Sequence, residues 1–207
     1  MEFIYSKKYD CNICTTRCDG KSKEAYIFSD DIAKSEKDEE IIASSIREKL
    51  LLEVEKTPSE AYGLADLELM TEGKLICRVE VKHQDRTFMS VRRLLPHGDL
   101  LPYETIALNL SDLERYIAQY KVERIPTFVI WHLKRPCIGD IYCGNEINVL
   151  EASLNLYRTK RTFRRASTKS DYVDGKHKGV TVNYHFSLKE MISLNEILQK
   201  ISAIPKH

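Results

Sequence analysis

Asp66 and the tripeptide Glu80-Val81-Lys82 are the residues whose types and spacing best fit a chemical task. In an extended strand, residues two apart share a face, so the side chains of Glu80 and Lys82 project together. Asp66 lies in the alternating segment Gly63 to Met70 (GLADLELM), and Glu80 and Lys82 lie in Leu75 to Lys82 (LICRVEVK). Ala65, Leu67 and Leu69 alternate with Asp66 and Glu68. Leu75, Cys77, Val79 and Val81 alternate with Ile76, Arg78, Glu80 and Lys82. Period two marks strands, and Thr71-Glu72-Gly73-Lys74 between the segments reads as the turn of a hairpin. Laying polar face beside polar face requires paired residue numbers with an even sum. A two-residue turn closing Thr71 on Lys74 breaks that parity, whereas a three-residue loop closing Thr71 on Leu75 keeps it. The second arrangement sets Asp66 directly opposite Glu80, with Cβ atoms about 4.5–5.5 Å apart. The pattern therefore predicts an odd loop and two carboxylates side by side.

Adjacent carboxylates repel unless a cation lies between them. Hard oxygen donors with open positions suit Mg²⁺ or Mn²⁺, which keeps waters that a substrate phosphate can displace. Such an ion lowers the pKa of bound water and polarises a phosphoryl oxygen. A neighbouring lysine orients the attacking water or stabilises the charge growing on phosphorus. Those are the needs of phosphodiester hydrolysis. Glu-x-Lys also occurs on ordinary polar strand faces as a simple ion pair, and the residues alone leave both readings open.

Hydrophobic-Asp, a turn and then hydrophobic Glu-x-Lys, here GLADLEL and CRVEVKHQ, resemble the core of the PD-(D/E)xK restriction-endonuclease-like superfamily over roughly residues 36–145. The resemblance implies an α/β (mixed α+β) fold of order αβββαβ, a central mixed sheet flanked by helices. It implies a Mg²⁺- or Mn²⁺-dependent endodeoxyribonuclease acting on DNA, in a defence, mobile-element or repair setting. Asp66, Glu80 and the backbone carbonyl of Val81 would bind the ion, and Lys82 would position the nucleophilic water. The helix before the strands often carries a glutamate in a Glu-x-x-Ala setting. Glu40-Ile41-Ile42-Ala43 fits it, so Glu40 would complete the metal shell, with Glu39, Glu48 and Glu53 competing for that place. Gln84 shares the parity of Glu80 and Lys82, and either orients water or phosphate at the site's edge or simply ends a surface strand. His83 faces the other way and reads as structural, as Trp131 and His132 read as core. Ala65 stands where the motif's proline is usual. Cutting both strands of a duplex needs two centres, which a homodimer would supply.

The elements that must hold these residues follow from periodicity. A helix is predicted from Ser35 to about Lys56, capped at Ser35, with Ile42, Ile46 and Leu50 as its stripe, although Leu50 to Val54 already turns toward a strand. After the hairpin, Gln84 to Thr105 reads as irregular. Ser111 caps a helix over 112–122, and Thr127 to Leu133 (TFVIWHL) is a buried strand with a returning strand over 139–143. Residues 158–178 read as a polar basic loop, Val180 to Phe186 as a late strand, and Ser187 as the cap of a terminal helix.

Composition bounds the rest. The chain has 207 residues, 43% hydrophobic and 30% charged, with formal net charge +1, enough apolar content to bury a core and too little basicity overall for a uniformly cationic nucleic-acid binder. The balance is uneven: residues 157–207 hold 11 basic and 4 acidic side chains, a net of +7 against −6 for the remainder. Arg158, Lys160, Arg161, Arg164 and Arg165, interleaved with Tyr157 and Phe163, form a candidate DNA-backbone strip, or a solvated charged loop. Cys11, Cys14 and Cys18 are free thiols, three ligands of an iron–sulfur cluster, or three donors of a candidate structural zinc, whose fourth would come from Cys137, Cys143 or a histidine. No apolar run reaches the length of a membrane span and no signal-peptide stretch opens the sequence, so a cytoplasmic protein without membrane contact is expected. The expected division is a Cys-containing extension (1–35), a nuclease-like core (36–145) and a basic segment with a terminal helix packed on that core (146–207). A non-catalytic nucleic-acid-binding or adaptor protein, zinc-stapled or not, is the rival reading.

Overall fold

The computed structural model describes residues 28–58, 63–135, 137–165, 172–173, 176–177 and 182–205. The chain opens with α1 (Phe28–Leu50). This helix starts earlier and stops sooner than its hydrophobic stripe suggests. Ser35 lies inside it, and Leu51, at φ 54° with its N–H on the Arg47 carbonyl, turns the chain out. Residues beyond Leu50 form β1 (Glu53–Lys56), which pairs antiparallel with β2 (Leu67–Thr71).

β2 and β3 (Lys74–His83) form the hairpin, and here the structure corrects the sequence reading. The loop has two residues, closing Thr71 on Lys74. Glu72 and Gly73 both take positive φ, 49° and 71°, as a type I′ turn requires. Parity is restored by a β-bulge: Met70 pairs with Leu75 but Leu69 pairs with Cys77, so Ile76 is the extra residue. Leu67 then faces Val79, and the register carried one residue further puts Asp66 opposite Glu80. A favourable tight turn and a buried apolar face make conflicting demands on register, and the bulge satisfies both.

The stretch after β3 is less irregular than its prolines imply. It contains the single-turn α2 (Val91–Leu94) and β4 (Thr105–Asn109), which leads into α3 (Leu110–Glu123). β5 (Thr127–Arg135) pairs parallel with β3, and β6 (Gly139–Glu146) returns antiparallel along β5. Next come α4 (Ile147–Arg161), β7 (Thr162–Arg164), the two-residue strands β8 (Tyr172–Val173) and β9 (Lys176–His177), and β10 (Val182–Ser187). Ser187 caps a 3₁₀ turn rather than the last helix. The following β11 (Ile192–Ser193) ends in Ser193, whose hydroxyl accepts the Glu196 N–H to cap α5 (Leu194–Ser202).

The central mixed sheet has the order β1-β2-β3-β5-β6-β11, and β4-β10-β7 form a second small sheet. Two cores sandwich the large sheet. On one side, Ile42, Ala43 and Ile46 of α1 and Ile197, Leu198 and Ile201 of α5 pack on Leu67, Val79, Val81, Phe128 and Ile130. On the other, Leu113, Tyr116 and Ile117 of α3, Leu150 and Leu154 of α4, and Ile106, Tyr184 and Phe186 of the small sheet pack on Val129, Trp131 and Leu133. β5 is buried on both faces, which explains its unbroken apolar run. Polar clasps hold the small sheet in place. The Trp131 indole donates to the Ala107 carbonyl at 3.1 Å, and buried Arg135 donates to the Tyr103 and Thr105 carbonyls at 2.8 and 3.1 Å. Among the described residues no helix is long and apolar enough to cross a membrane.

Candidate active site

Alternation along β3 divides its side chains between the two cores. Cys77, Val79 and Val81 point toward α1, whereas Arg78, Glu80 and Lys82 point toward α3. Arg78 bonds Glu68 at 3.0 Å and also pairs with Glu123, tying the hairpin to the end of α3. Asp66 closes the gap where β2 begins: its Oδ2 accepts the Val81 N–H at 2.7 Å. Amide and carbonyl of one strand residue lie along the same edge, so the Val81 carbonyl also faces the Asp66 side. The Lys82 ammonium pairs with Glu80 Oε1. Tyr116 reaches from α3 and hydrogen-bonds the same carboxylate. Asp66, Glu80 and Lys82 thus converge at one point.

The electrostatics are those of a site short of positive charge. Glu80 is 2% exposed, and its Oε2 is buried with no hydrogen-bond partner. A buried carboxylate oxygen left so costs about 1–3 kcal/mol or more. Burial, reinforced by the Glu80 carboxylate, pushes the Asp66 carboxyl up to about 7 against the pull of Lys82. Burial works against the Lys82 ammonium, but Glu80 and Asp66 outweigh it and hold its pKa above the usual lysine value. Burial and Glu80 likewise raise the Tyr116 phenol, which stays a neutral donor. Two carboxylates and an edge carbonyl, one acid oxygen being buried and unpartnered, fit a hard divalent cation held by Asp66, Glu80 and the Val81 carbonyl.

On α1, Glu39 rather than Glu40 faces the two acids. Glu40 sits about 160° around the helix from the buried Ile42. Its exposed carboxylate is spent on Arg47 at 3.0 Å, Ser44 at 3.3 Å and Lys56 at 3.6 Å. Glu39, half-buried, is coupled to Asp66 and Glu80 and paired with Lys56 at 3.6 Å. Burial raises its pKa, Lys56 opposes, and Glu80 adds to the rise. The stripe Ile42–Ala43–Ile46, stepped back by three or four residues, marks Asp38 and Glu39 as sheet-facing, and this helical phase is a better guide than the Glu-x-x-Ala match.

The remaining sequence candidates scatter. Gln84 is committed to the scaffold: its side-chain oxygen accepts the Ala107 N–H at 2.9 Å, beside the Trp131 bond to the same residue. The basic strip is split by helix geometry, because 158–161 is the last turn of α4 and not a loop. Arg161 is 3% exposed, donating to the Gly98 carbonyl at 2.8 Å and pairing with Glu190, so it cannot meet a phosphate. Arg158 is exposed but pairs with Glu114, while Lys160 and Arg164 are exposed and Arg165 is half-buried. Cys11, Cys14 and Cys18 lie outside the described residues. Cys137 and Cys143, considered for a fourth zinc ligand, are buried in the α3-side core.

A helix, an antiparallel three-strand meander, a crossover carrying a second helix and a fourth strand parallel to the third present Asp, Glu and Lys on one face. This is the αβββαβ arrangement, a central mixed sheet flanked by helices, that the sequence resemblance implies. In it the meander is β1–β3, the crossover helix α3 and the parallel strand β5. Among solved structures, the chain is similar to Hjc, a Holliday junction resolvase from Archaeoglobus fulgidus, at 9% identity and TM-score 0.41, covering 81% of this chain and 94% of that one. It is also similar to D212, a nuclease from a fusselovirus, at 16% identity and TM-score 0.47, covering 86% of this chain and 93% of that one. No protein-family model and no curated protein matches the sequence.

Proposed function

We propose that this chain is a divalent-metal-dependent endonuclease that hydrolyses phosphodiester bonds in DNA, in a defence, mobile-element or repair setting. The observation that carries the reading is the convergence of Asp66, Glu80 and Lys82, with Glu80 Oε2 buried and unpartnered. A bound Mg²⁺ or Mn²⁺ would polarise the scissile phosphoryl group and acidify a coordinated water. Asp66 and Glu80 would bind that ion, and Glu39 would complete the acidic wall. Tyr116 fixes the rotamer of Glu80 by its hydrogen bond, and Arg78 anchors the hairpin that carries both acids. Lys82, 34% exposed at its side chain, keeps a positive charge at the mouth of the site, where it can orient a water and offset charge growing on the phosphate.

Supercoiled-plasmid cleavage in Mg²⁺ or Mn²⁺ tests this. Lys82→Ala is expected to reduce the rate about 10²-fold or more, the scale of losing one charge-stabilising donor. Unchanged cleavage, or salt-dependent binding with no cleavage by wild type, would remove the catalytic reading. Glu39→Gln should slow cleavage roughly tenfold, in the range for groups that support a metal shell, while Glu40→Gln leaves it intact. The reverse order would return Glu40 to the site.

DNA affinity separates the basic residues in the same way. Lys160→Ala should lower the salt slope of binding by roughly one phosphate contact. Arg161→Ala should leave that slope alone and cost about 3 kcal/mol of stability in urea unfolding, because Glu190 loses its buried partner. A fully stable Arg161→Ala with a reduced slope would contradict the assignment.

A further inference from the structure

Residues adjacent to those of the first site serve a different place. β3 and β5 run parallel in register, so His83 stands beside His132, and α1 lays Asp38 over both. Asp38 Oδ2 is 2.6 Å from His83 Nδ1, and Asp38 Oδ1 is 2.8 Å from His132 Nδ1. Ligand atoms of all three lie within 4.8 Å of one another. The outer nitrogens each meet another acid: His83 Nε2 lies 2.9 Å from Asp85 Oδ1, and His132 Nε2 lies 2.6 Å from Asp140 Oδ1. Lys34 reaches Asp85 at 3.2 Å, and the Tyr142 ring stacks on His132 with centroids 4.2 Å apart.

We propose that Asp38, His83 and His132 form a second metal site, for a zinc-type divalent transition ion, on the sheet face opposite Asp66 and Glu80. Two imidazole nitrogens and one carboxylate are the donors such ions prefer, and imidazole is a poor donor for Mg²⁺. The surroundings match as well as the donors. A histidine that ligates through Nδ1 carries its proton on Nε2, and ligating histidines nearly always donate that proton to a carboxylate or carbonyl. Asp85 and Asp140 stand at those two nitrogens. A plain ionic clamp between α1 and the sheet accounts for less. Burying Asp38, 3% exposed, with two imidazoles costs desolvation that an apolar contact would avoid.

Occupancy would pin α1 to β3 and β5. Asp38 precedes Glu39 and His83 follows Lys82, so the ion would fix the two backbone segments that carry the first site. The two sites use different side chains, and ion binding at the second does not depend on nuclease activity.

The test titrates Co²⁺ into the full chain carrying Asp66→Asn and Glu80→Gln, which removes the first site as a competitor. One equivalent should bind, giving visible d–d absorption without a thiolate charge-transfer band. In that background Asp140→Asn should weaken binding 10–100-fold, the usual effect of losing the acid behind a ligating histidine, and His132→Asn should abolish the bands. Asp140 is 53% exposed, so its variant tests the site even should His132→Asn fail to fold. Absence of binding by a chain folded by circular dichroism would overturn the proposal. So would bands unchanged by both variants, or a purely thiolate spectrum, which would place the ion on cysteines.

Discussion

Asp66→Asn is expected to abolish metal-dependent cleavage and, in the same protein, to raise thermal stability when metal is chelated at neutral pH. Burial, with the neighbouring Glu80 carboxylate adding to it, pushes the Asp66 carboxyl up to about 7 from the ordinary 3.8. Between those values the folded state keeps a proton that the unfolded chain has released. The unfolded state therefore binds fewer protons, and stability falls as pH rises from about 4 to 7. Asparagine escapes that loss, and its side-chain oxygen can still accept the Val81 N–H. A fully buried carboxyl held so far from its ordinary value would cost about 4 kcal/mol, and partial exposure reduces this to about 2 kcal/mol. Urea unfolding in EDTA at pH 5 and pH 8 measures it: the gain over wild type should be small at pH 5 and large at pH 8. Cleavage should drop at least about 10³-fold, since a Lewis acid contributes several kcal/mol to the barrier. A variant less stable than wild type at pH 8 would mean that Asp66 is not held under charge strain. The reciprocal expectation is that Mg²⁺ or Mn²⁺ stabilises wild type but not the variant.

That strain connects the fold to the chemistry. Acids that repel without a cation between them are a stability cost carried for function, and each neighbour limits it in part. Val81 N–H relieves one oxygen of Asp66, while Lys82 and Tyr116 both serve Glu80. Glu80 Oε2 is what they leave over. The position of Glu39 beside these two acids adds to the deficit, with Lys56 offsetting part of it.

Much of this is legible from period-two alternation, because a strand that buries one face must sort its residues by parity. Asp66, Glu80 and Lys82 can be grouped without coordinates for that reason. The loop length cannot, since a bulge changes parity as effectively as an added loop residue and Ile76, apolar at the bulge, leaves no polar signature. Helix phase is readable for Ile42 and Ile46, yet a short family-like string points to Glu40, on the far side. The basic strip misleads for a related reason: charge counts say nothing of burial, and Arg161 points inward to Gly98 and Glu190. Nor does any local pattern announce β4 or the pairing of His83 with His132. Both depend on partners far away in sequence, and the short β4 is held by Trp131, Arg135 and Gln84 rather than by its own propensity.

Gly144→Ala should be among the most destabilising single substitutions in the chain, although it adds one methyl group to a residue that is itself no proposed ligand. Gly144 lies in β6 between Ile130 of β5 and Ile192 of β11. A Cβ built there falls 2.0 Å from the Val129 carbonyl oxygen and 3.0 Å from the Ile130 Cα. Those atoms belong to the backbone of the strand buried on both faces, so no flexible side chain can yield. Relief requires β6 to move away from β5, which breaks ladder hydrogen bonds and opens both cores. Overpacking usually costs about 1–3 kcal/mol, and a clash with central backbone belongs above that range, at about 4 kcal/mol or more. Most domains hold only about 5–15 kcal/mol in reserve, so Gly144→Ala should lose cooperative unfolding or melt well below wild type. Gly73→Ala is the useful control. Nothing lies within 4 Å of its added Cβ, and the cost there is that of positive φ alone, about 1–2 kcal/mol. Near-equal losses for the two variants in urea unfolding would show that β6 adjusts, and that contact with β5 does not set the position of the strand leading to β11.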